Sequence, residues 1–394
     1  TFHIWLAGEC RPDWKKIKKD FSDFTKAQIK AFGEFPVPEY HFLIHARPEK
    51  VYHGVEHCNS TVISLGPGYD LFRDRYLDLL SVSSHELYHT WNIKQIRPEE
   101  MHPYDFTKEN YTRLGYVAEG VTTYMGDLML VRSGGFSQHK FAFELGQFVQ
   151  KHFDNFGREN LSVAESSYDT WLDGYSRGVP NRKVSIYNEG ALNAMMCDLL
   201  VRKGSNNKYS LDTVMRALYS EYAQQGLGYN EHIYRSLLEK FGGSSFKGYF
   251  NKYINGTAPI ERKLKDCLKF VGLEIQTQPA RLFAEHALGL KADWAAGKYT
   301  VQSVYPGSPA EKAGIFNGDE LLYVNDYRLD FNLNDWLTYF EGSAEIKYKR
   351  GSRLRSARLK PDGKTWYRQY SVLKMRKATN AQRKNYSKWT GQKF

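Results

Sequence analysis

Five consecutive residues, His85-Glu86-Leu87-Tyr88-His89, carry more chemistry than any other short run in this chain. On a helix, residues four apart share a face about one turn apart. The imidazoles of His85 and His89 then stand side by side and can hold one metal ion. Glu86 reaches a water beside that ion. Two neutral imidazoles suit zinc, and a hydrolytic zinc centre needs one more protein ligand and an open position. H-E-x-x-H on a helix is the pattern of zinc peptidases, with the Glu as general base. The bland alternative is a helix with two exposed histidines. Against it, the preceding run Tyr76–Ser84 is apolar enough for a buried helix, where an idle Glu is costly.

A third ligand has to come from elsewhere. Val117-Ala118-Glu119-Gly120 opens a mostly apolar helical stretch, Gly115 to Val131, with one early carboxylate. Two packed helices would bring Glu119 to the imidazoles; the alternative is a solvated Glu favoured at a helix start by the dipole. Upstream, Val51-Tyr52-His53-Gly54-Val55-Glu56 reads as an edge strand and Thr61–Leu65 as its return. Gly54 permits close approach of a peptide backbone, with Val55 beside it on the strand. Glu56 would present a carboxylate to a substrate's α-amine, or else is a surface acid.

These residues, with Trp91-Asn92, Ile96-Arg97-Pro98, Asn110-Tyr111-Thr112 and Glu119-Gly120, resemble the glycyl aminopeptidase family, whose zinc aminopeptidases carry a PDZ domain after the catalytic one. The resemblance runs from about Tyr40 to the end of a PDZ-like region. It implies a thermolysin-like (gluzincin) catalytic domain, one zinc per chain on His85, His89 and Glu119, and a preference for small N-terminal residues such as Gly or Ala. It also supports Glu56, through a strand motif Gly-Gly-x-Glu-His, although His53 stands where the first Gly is usual. A further motif, Tyr-x-Lys-Gly before an apolar helix, is matched at Tyr187 and Gly190, with Glu189 in place of the Lys. That match implies that the Tyr187 hydroxyl faces the reacting carbonyl.

Composition narrows the remaining classes. A chain of 394 residues with 41% hydrophobic content suits two or three domains with real cores. The formal net charge is +11, but much of the excess lies in Lys347–Arg358 and Arg376–Lys393, and no nucleic-acid-binding motif accompanies it. Cys10, Cys58, Cys197 and Cys267 form no C-x-x-C pair, so they read neither as a disulfide framework nor as a thiolate metal site. They are reduced, or one pair is bridged. No apolar run is long enough to span a membrane. The expectation is a soluble protein, with cytoplasm and periplasm both open. The chain starts at Thr1 in a strand-like run without a preceding partner, which reads as a cut edge.

The expected fold class is α+β. Residues 1–75 form a β-containing opening portion of the catalytic domain, with the cleft-edge strand. Residues 76–270 form its helical, zinc-binding part. In the opening portion Asp13–Phe32 reads as an amphipathic helix, and in the helical part 155–173 reads as a polar loop with a short helix at Val163–Ser167. Residues 279–375 carry Leu288-Gly289-Leu290, Gly307-Ser308-Pro309-Ala310-Glu311-Lys312-Ala313-Gly314 and Gly318-Asp319, which look like a PDZ domain. Residues 376–394 form a basic tail expected to be poorly ordered. The expected partners are peptides with a free N-terminus, and a peptide or protein ligand at the PDZ domain. An endopeptidase with the same zinc chemistry, and a PDZ adaptor with a vestigial metal site, remain as alternatives.

Overall fold

A computed structural model of the chain describes residues 1–173 and 178–394. Two compact units emerge, Thr1–Glu274 joined by Val372–Phe394, and Ile275–Ser371.

The first unit opens with β1 (Phe2–Ala7), α1 (Trp14–Phe32), β2 (Tyr40–Ala46), β3 (Val51–Glu56) and β4 (Ser60–Gly66). Helix α1 starts where Asp13 accepts a hydrogen bond from the Lys16 amide, and its buried face repeats at Ile17, Phe21, Phe24 and Gln28. Phe21 and Phe24 pack against Phe42 of β2, ring centroids 4.9 and 6.2 Å away. The sheet order is β1-β2-β4-β3, the first three parallel and β3 antiparallel to β4 with Gly54 opposite Ile63. Strand β3 is therefore an edge, with one row of main-chain groups left for another partner.

Helix α2 (Tyr76–Tyr88) packs against this layer, tied to α1 by buried Gln28, whose amide donates to the Ser84 carbonyl and hydroxyl at 2.8 and 2.9 Å. A π-helical turn, Tyr116–Val121, runs straight into α3 (Thr122–Ser133), and α4 (Gln138–Asp154) follows. Residues 155–173 are more helical than expected. They form a 3-10 turn at Phe156–Glu159, then α5 (Val163–Tyr168) and α6 (Thr170–Asp173). Ser162 and Glu165 make a full capping box at the start of α5, a signal present in the sequence. Helices α7 (Ile186–Gly204), α8 (Leu211–Ala217), α9 (Glu231–Gly242), α10 (Lys247–Tyr249) and α11 (Glu261–Phe270) complete the helical layer, and β5 (Leu273–Pro279) leads out.

The second unit contains α12 (Phe283–Leu288), β6 (Leu290–Ala295), β7 (Lys298–Val304), α13 (Pro309–Lys312), β8 (Glu320–Val324), β9 (Tyr327–Arg328), α14 (Leu333–Tyr339), β10 (Ala344–Arg350) and β11 (Arg353–Leu359). Its antiparallel sheet runs β11-β10-β8-β7-β6, with β9 on β8. Ser308 caps α13 and Pro309 occupies its first turn. A separate core gathers Leu290, Val301, Leu321, Val324, Leu337 and Ile346. The chain returns on β12 (Arg368–Lys374), which pairs with β5.

The basic C-terminal segment is a correction to the sequence reading. It forms α15 (Asn380–Thr390) and belongs to the first unit. Trp389 is fully buried, its indole N–H donating to the Tyr124 hydroxyl at 2.6 Å, which in turn donates to Asp198 at 2.6 Å. Burying one Trp outweighs the charges, which stay on the wet face. All four cysteines are free. No helix among the described residues is long and apolar enough to cross a membrane.

Candidate metal centre and peptide cleft

The H-E-x-x-H run closes α2. His85 and Glu86 lie in its last turn, and His89 caps it with right-handed helical dihedrals. The helical repeat brings His85 Nε2 and His89 Nε2 to 3.0 Å from each other. Glu119, on the π-turn, directs Oε2 to 3.4 Å from His85 Nε2 and 3.3 Å from His89 Nε2. That oxygen is buried and lacks hydrogen-bond geometry to either ring. Three donor atoms from two segments thus converge on one point, an arrangement that fits a divalent cation. Nitrogen, nitrogen and carboxylate oxygen are a donor set suited to zinc.

The electrostatics agree with that fit. Burial would depress the His89 imidazole, but the adjacent Glu119 carboxylate outweighs it and lifts His89 to about 10. Burial pushes Glu119 the other way from the imidazoles, and the imidazoles win, holding it well below the usual carboxylate range. The group of three therefore demands positive charge at its centre, which a cation supplies in place of protons. Glu86 is different: burial pushes its carboxyl up, only partly offset by His85 and His89. A carboxylate raised in this way is a better proton acceptor.

Asn92 and Thr122, which sequence reasoning did not assign, hold the two ligand segments together. The π-turn shifts carbonyls off the ordinary helical ladder, and such turns recur at functional sites. Asn92 Nδ2 donates to the Val117 and Ala118 carbonyls at 2.9 and 3.1 Å and to Thr122 Oγ1 at 3.0 Å, and the Thr122 hydroxyl donates to Ala118 O at 2.6 Å. The Asn92 carbonyl lies 2.9 Å from His89 Nδ1. A carbonyl only accepts, so Nδ1 carries the proton and the Nε2 lone pair is left for a metal. The adjacency of Asn92 to the motif was the available signal.

The centre lies in a cavity of about 800 Å³ bordered by β3, α2, α4 and the start of α7. Gly54 sits where a Cβ would lie 2.2 Å from Glu86 Oε1, so only glycine lets the edge strand pass this close. Carboxylate oxygens of Glu56 and Glu86 and a ring nitrogen of His89 all lie within 4.8 Å of one another. Glu56 is held by Lys94, Nζ to Oε1 3.2 Å. Val55 is not brought to the cavity: its side chain is exposed and its carbonyl accepts from Thr61 Oγ1 at 3.1 Å. Tyr187, half exposed, lines the cavity with its ring 6.2 Å from the His85 ring.

Tyr187 is placed by a close crossing of two segments. A Cβ on Gly120 would meet Gly190 Cα at 2.3 Å, so the π-turn and α7 touch backbone to backbone. Glu189, the residue that departs from the family motif, is buried and paired with His152 Nδ1 at 2.9 and 3.0 Å. The carboxylate that stands in place of the Lys thus has a hydrogen-bond partner inside the fold.

Residues 78–193 match the profile of the M61 glycyl aminopeptidases and residues 300–346 that of the PDZ domain. Among solved structures, an aminopeptidase N family protein from Idiomarina loihiensis superposes with a TM-score of 0.86 at 24% identity, over 98% of this chain and 68% of that one. An M1 zinc metallopeptidase from Deinococcus radiodurans gives 0.41 at 14% identity, over 65% and 47%. The HtrA3 PDZ domain gives 0.17 at 16% identity, over 26% and 92%. No curated protein matches.

Proposed function

From a chain that carries an M61 metallopeptidase domain and a PDZ domain, we propose a zinc-dependent aminopeptidase that releases the N-terminal residue of peptides. His85, His89 and Glu119 would hold one zinc. When bound, that ion polarises a carbonyl and makes water acidic enough to attack near neutral pH. The peptide lies along the free edge of β3, where Gly54 leaves room beside Glu86. Glu86 Oε accepts a proton from water as the water oxygen bonds to the scissile carbonyl carbon. The Tyr187 hydroxyl donates to the carbonyl oxygen as negative charge develops on it. Glu86 then returns its proton to the leaving nitrogen, the C–N bond breaks, and an amino acid and a shortened peptide result. We assign the PDZ domain a peptide or protein ligand.

The observation that carries the exopeptidase reading is Glu56. Its carboxylate stands within 4.8 Å of Glu86 and His89, so an amine bound there is about one residue from the bond being cut. The amine takes over the ion pair that Lys94 makes in the free protein. Peptides with free and N-acetylated termini test this: kcat/KM should fall at least about 100-fold on acetylation. Equal cleavage of the two would make the protein an endopeptidase.

A further inference from the structure

The main cavity is not alone beside Glu56. A second, of about 220 Å³, is bordered by Glu56 and Glu119 on one side and by Ile93, Tyr104, Phe106, Trp171 and Ile186 on the others. Since Glu56 and Glu119 border both, the second cavity opens at the point where a peptide's first residue would sit. The β3 edge runs away from Glu56 toward Gly54 and Tyr52, into the larger cavity. A peptide whose amine is on Glu56 therefore sends its chain into the large cavity and its first side chain into the small one.

The wall of this second cavity is more apolar than its polar names suggest, because several of those side chains are already hydrogen-bonded. Ser167 Oγ donates to the Val163 carbonyl at 2.7 Å and accepts from the Tyr116 amide at 3.0 Å. The Thr170 hydroxyl donates to Ser166 O at 3.2 Å, and Thr112 donates to Glu100 at 3.3 Å and accepts from the Leu114 amide at 3.1 Å. Asn110 Nδ2 is spent on the Asp105 and Lys108 carbonyls at 2.7 and 2.9 Å. Lys94 is on Glu56, and Arg97 donates to Ile93 O at 2.9 Å with its guanidinium over the Tyr104 ring. The larger share of the wall is apolar, much of it aromatic, with the charged groups gathered toward Glu56 and Arg97. Trp171 is pinned there by its N–H to Asn110 O at 3.1 Å, and Tyr104 and Phe106 pack with centroids 4.7 Å apart.

Size decides between small and large side chains. A space of about 220 Å³ is many times what a single water needs. A hydrogen or a methyl would leave most of that space to water against a mainly apolar wall, whereas a branched or aromatic side chain would displace it. We infer that this cavity selects a large apolar first residue, Leu or Phe in class, rather than the Gly or Ala that the family resemblance implies. The inference rests on the proposed aminopeptidase function and gives that site its substrate class.

The test is a series of fluorogenic Gly, Ala, Leu, Phe and Glu amides with the zinc-loaded full chain. The expected result is a kcat/KM for Leu and Phe about 10- to 200-fold above Gly. Thr170→Trp, which fills the cavity, should lower the Phe-to-Gly ratio at least tenfold. Phe106 is 88% exposed, so Phe106→Ala disturbs the fold little and should lower the same ratio severalfold. The inference is overturned if Gly or Ala is the best substrate. It is overturned equally if the Glu amide is best, which would make the cavity a carboxylate receptor, or if both variants leave the ratio unchanged. Failure of the underlying function looks different: no amide is turned over, or the N-acetylated peptide is cut as well as the free one.

Discussion

Two clusters in the first unit have the same make-up, two histidines and a glutamate with donor atoms within 4.8 Å of one another: His85, His89 and Glu119 on α2 and the π-turn, and His3, Glu39 and His41 at the start of β1 and β2. In the second, His3 and His41 stack at 4.6 Å, and Glu39 lies 3.7 and 3.8 Å from their Nε2 atoms. Composition does not separate them; the partner behind each ring does. His89 Nδ1 faces a carbonyl, which leaves the Nε2 lone pair free. His41 Nδ1 is 3.2 Å from the Trp5 indole nitrogen, which can only donate, so in the neutral ring Nε2 holds the proton and points it at Glu39. The inner group leaves an Nε2 lone pair facing the shared centre, whereas in the outer one the Trp5 indole occupies His41 Nδ1 and Glu39 stands beyond hydrogen-bond distance of both rings. Burial adds to this: the Glu39 side chain is 58% exposed and that of Glu119 21%, so Glu119 keeps much less of its hydration.

The largest effect is expected where a ligand is removed. His89→Ala should take bound zinc from about one equivalent to near none and hydrolysis to background, while His41→Ala changes neither; metal analysis by mass spectrometry decides. Equal zinc loss in both variants would erase the distinction between the two clusters. Glu86→Gln removes the base without touching a ligand, so hydrolysis should fall about 10²- to 10⁴-fold with zinc retained. If zinc leaves with it, Glu86 is part of the metal site rather than a base beside it. Asn92→Ala asks whether the segments behind the ligands matter as argued. Zinc affinity should weaken about 10- to 100-fold, read by competition with a chromogenic chelator.

Asp127 sharpens the comparison from the side of the carboxylates. It is buried in the same cavity, accepts from Ser81 at 3.0 Å, and has no imidazole across from it. Burial, with Glu144 nearby, pushes it up to about 7, whereas Glu119 between two imidazoles goes down. The folded state therefore holds a proton on Asp127 that the unfolded chain gives up near pH 4. Its contribution to stability is present below pH 4 and lost as pH rises through about 7. Asp127→Asn should raise Tm at pH 8 and flatten its decline between pH 5 and 8. A steeper decline in the variant would show that Asp127 is ionised in the folded protein. The smallest effect belongs to His3→Ala, for which zinc content and activity should both match the parent.

Local spacing alone made some of this legible. The helical repeat of His85 and His89, the caps of α1 and α13, the edge character of β3 and the order of PDZ elements all depend on residues close in sequence, where backbone geometry leaves few choices. Contacts across the fold decided the rest. Glu119 reaches the imidazoles only because α2 and the π-turn pack together through Asn92, and Tyr187 reaches the cavity only because Gly120 and Gly190 let two backbones touch. Val55 turned away, Glu189 found His152, and the basic tail folded back on Trp389, none of which a local pattern encodes. Short-range propensity acts through a few neighbouring dihedrals, but a tautomer, a buried charge or a docked helix is settled by which partner arrives from far along the chain, and that is a property of the packed structure.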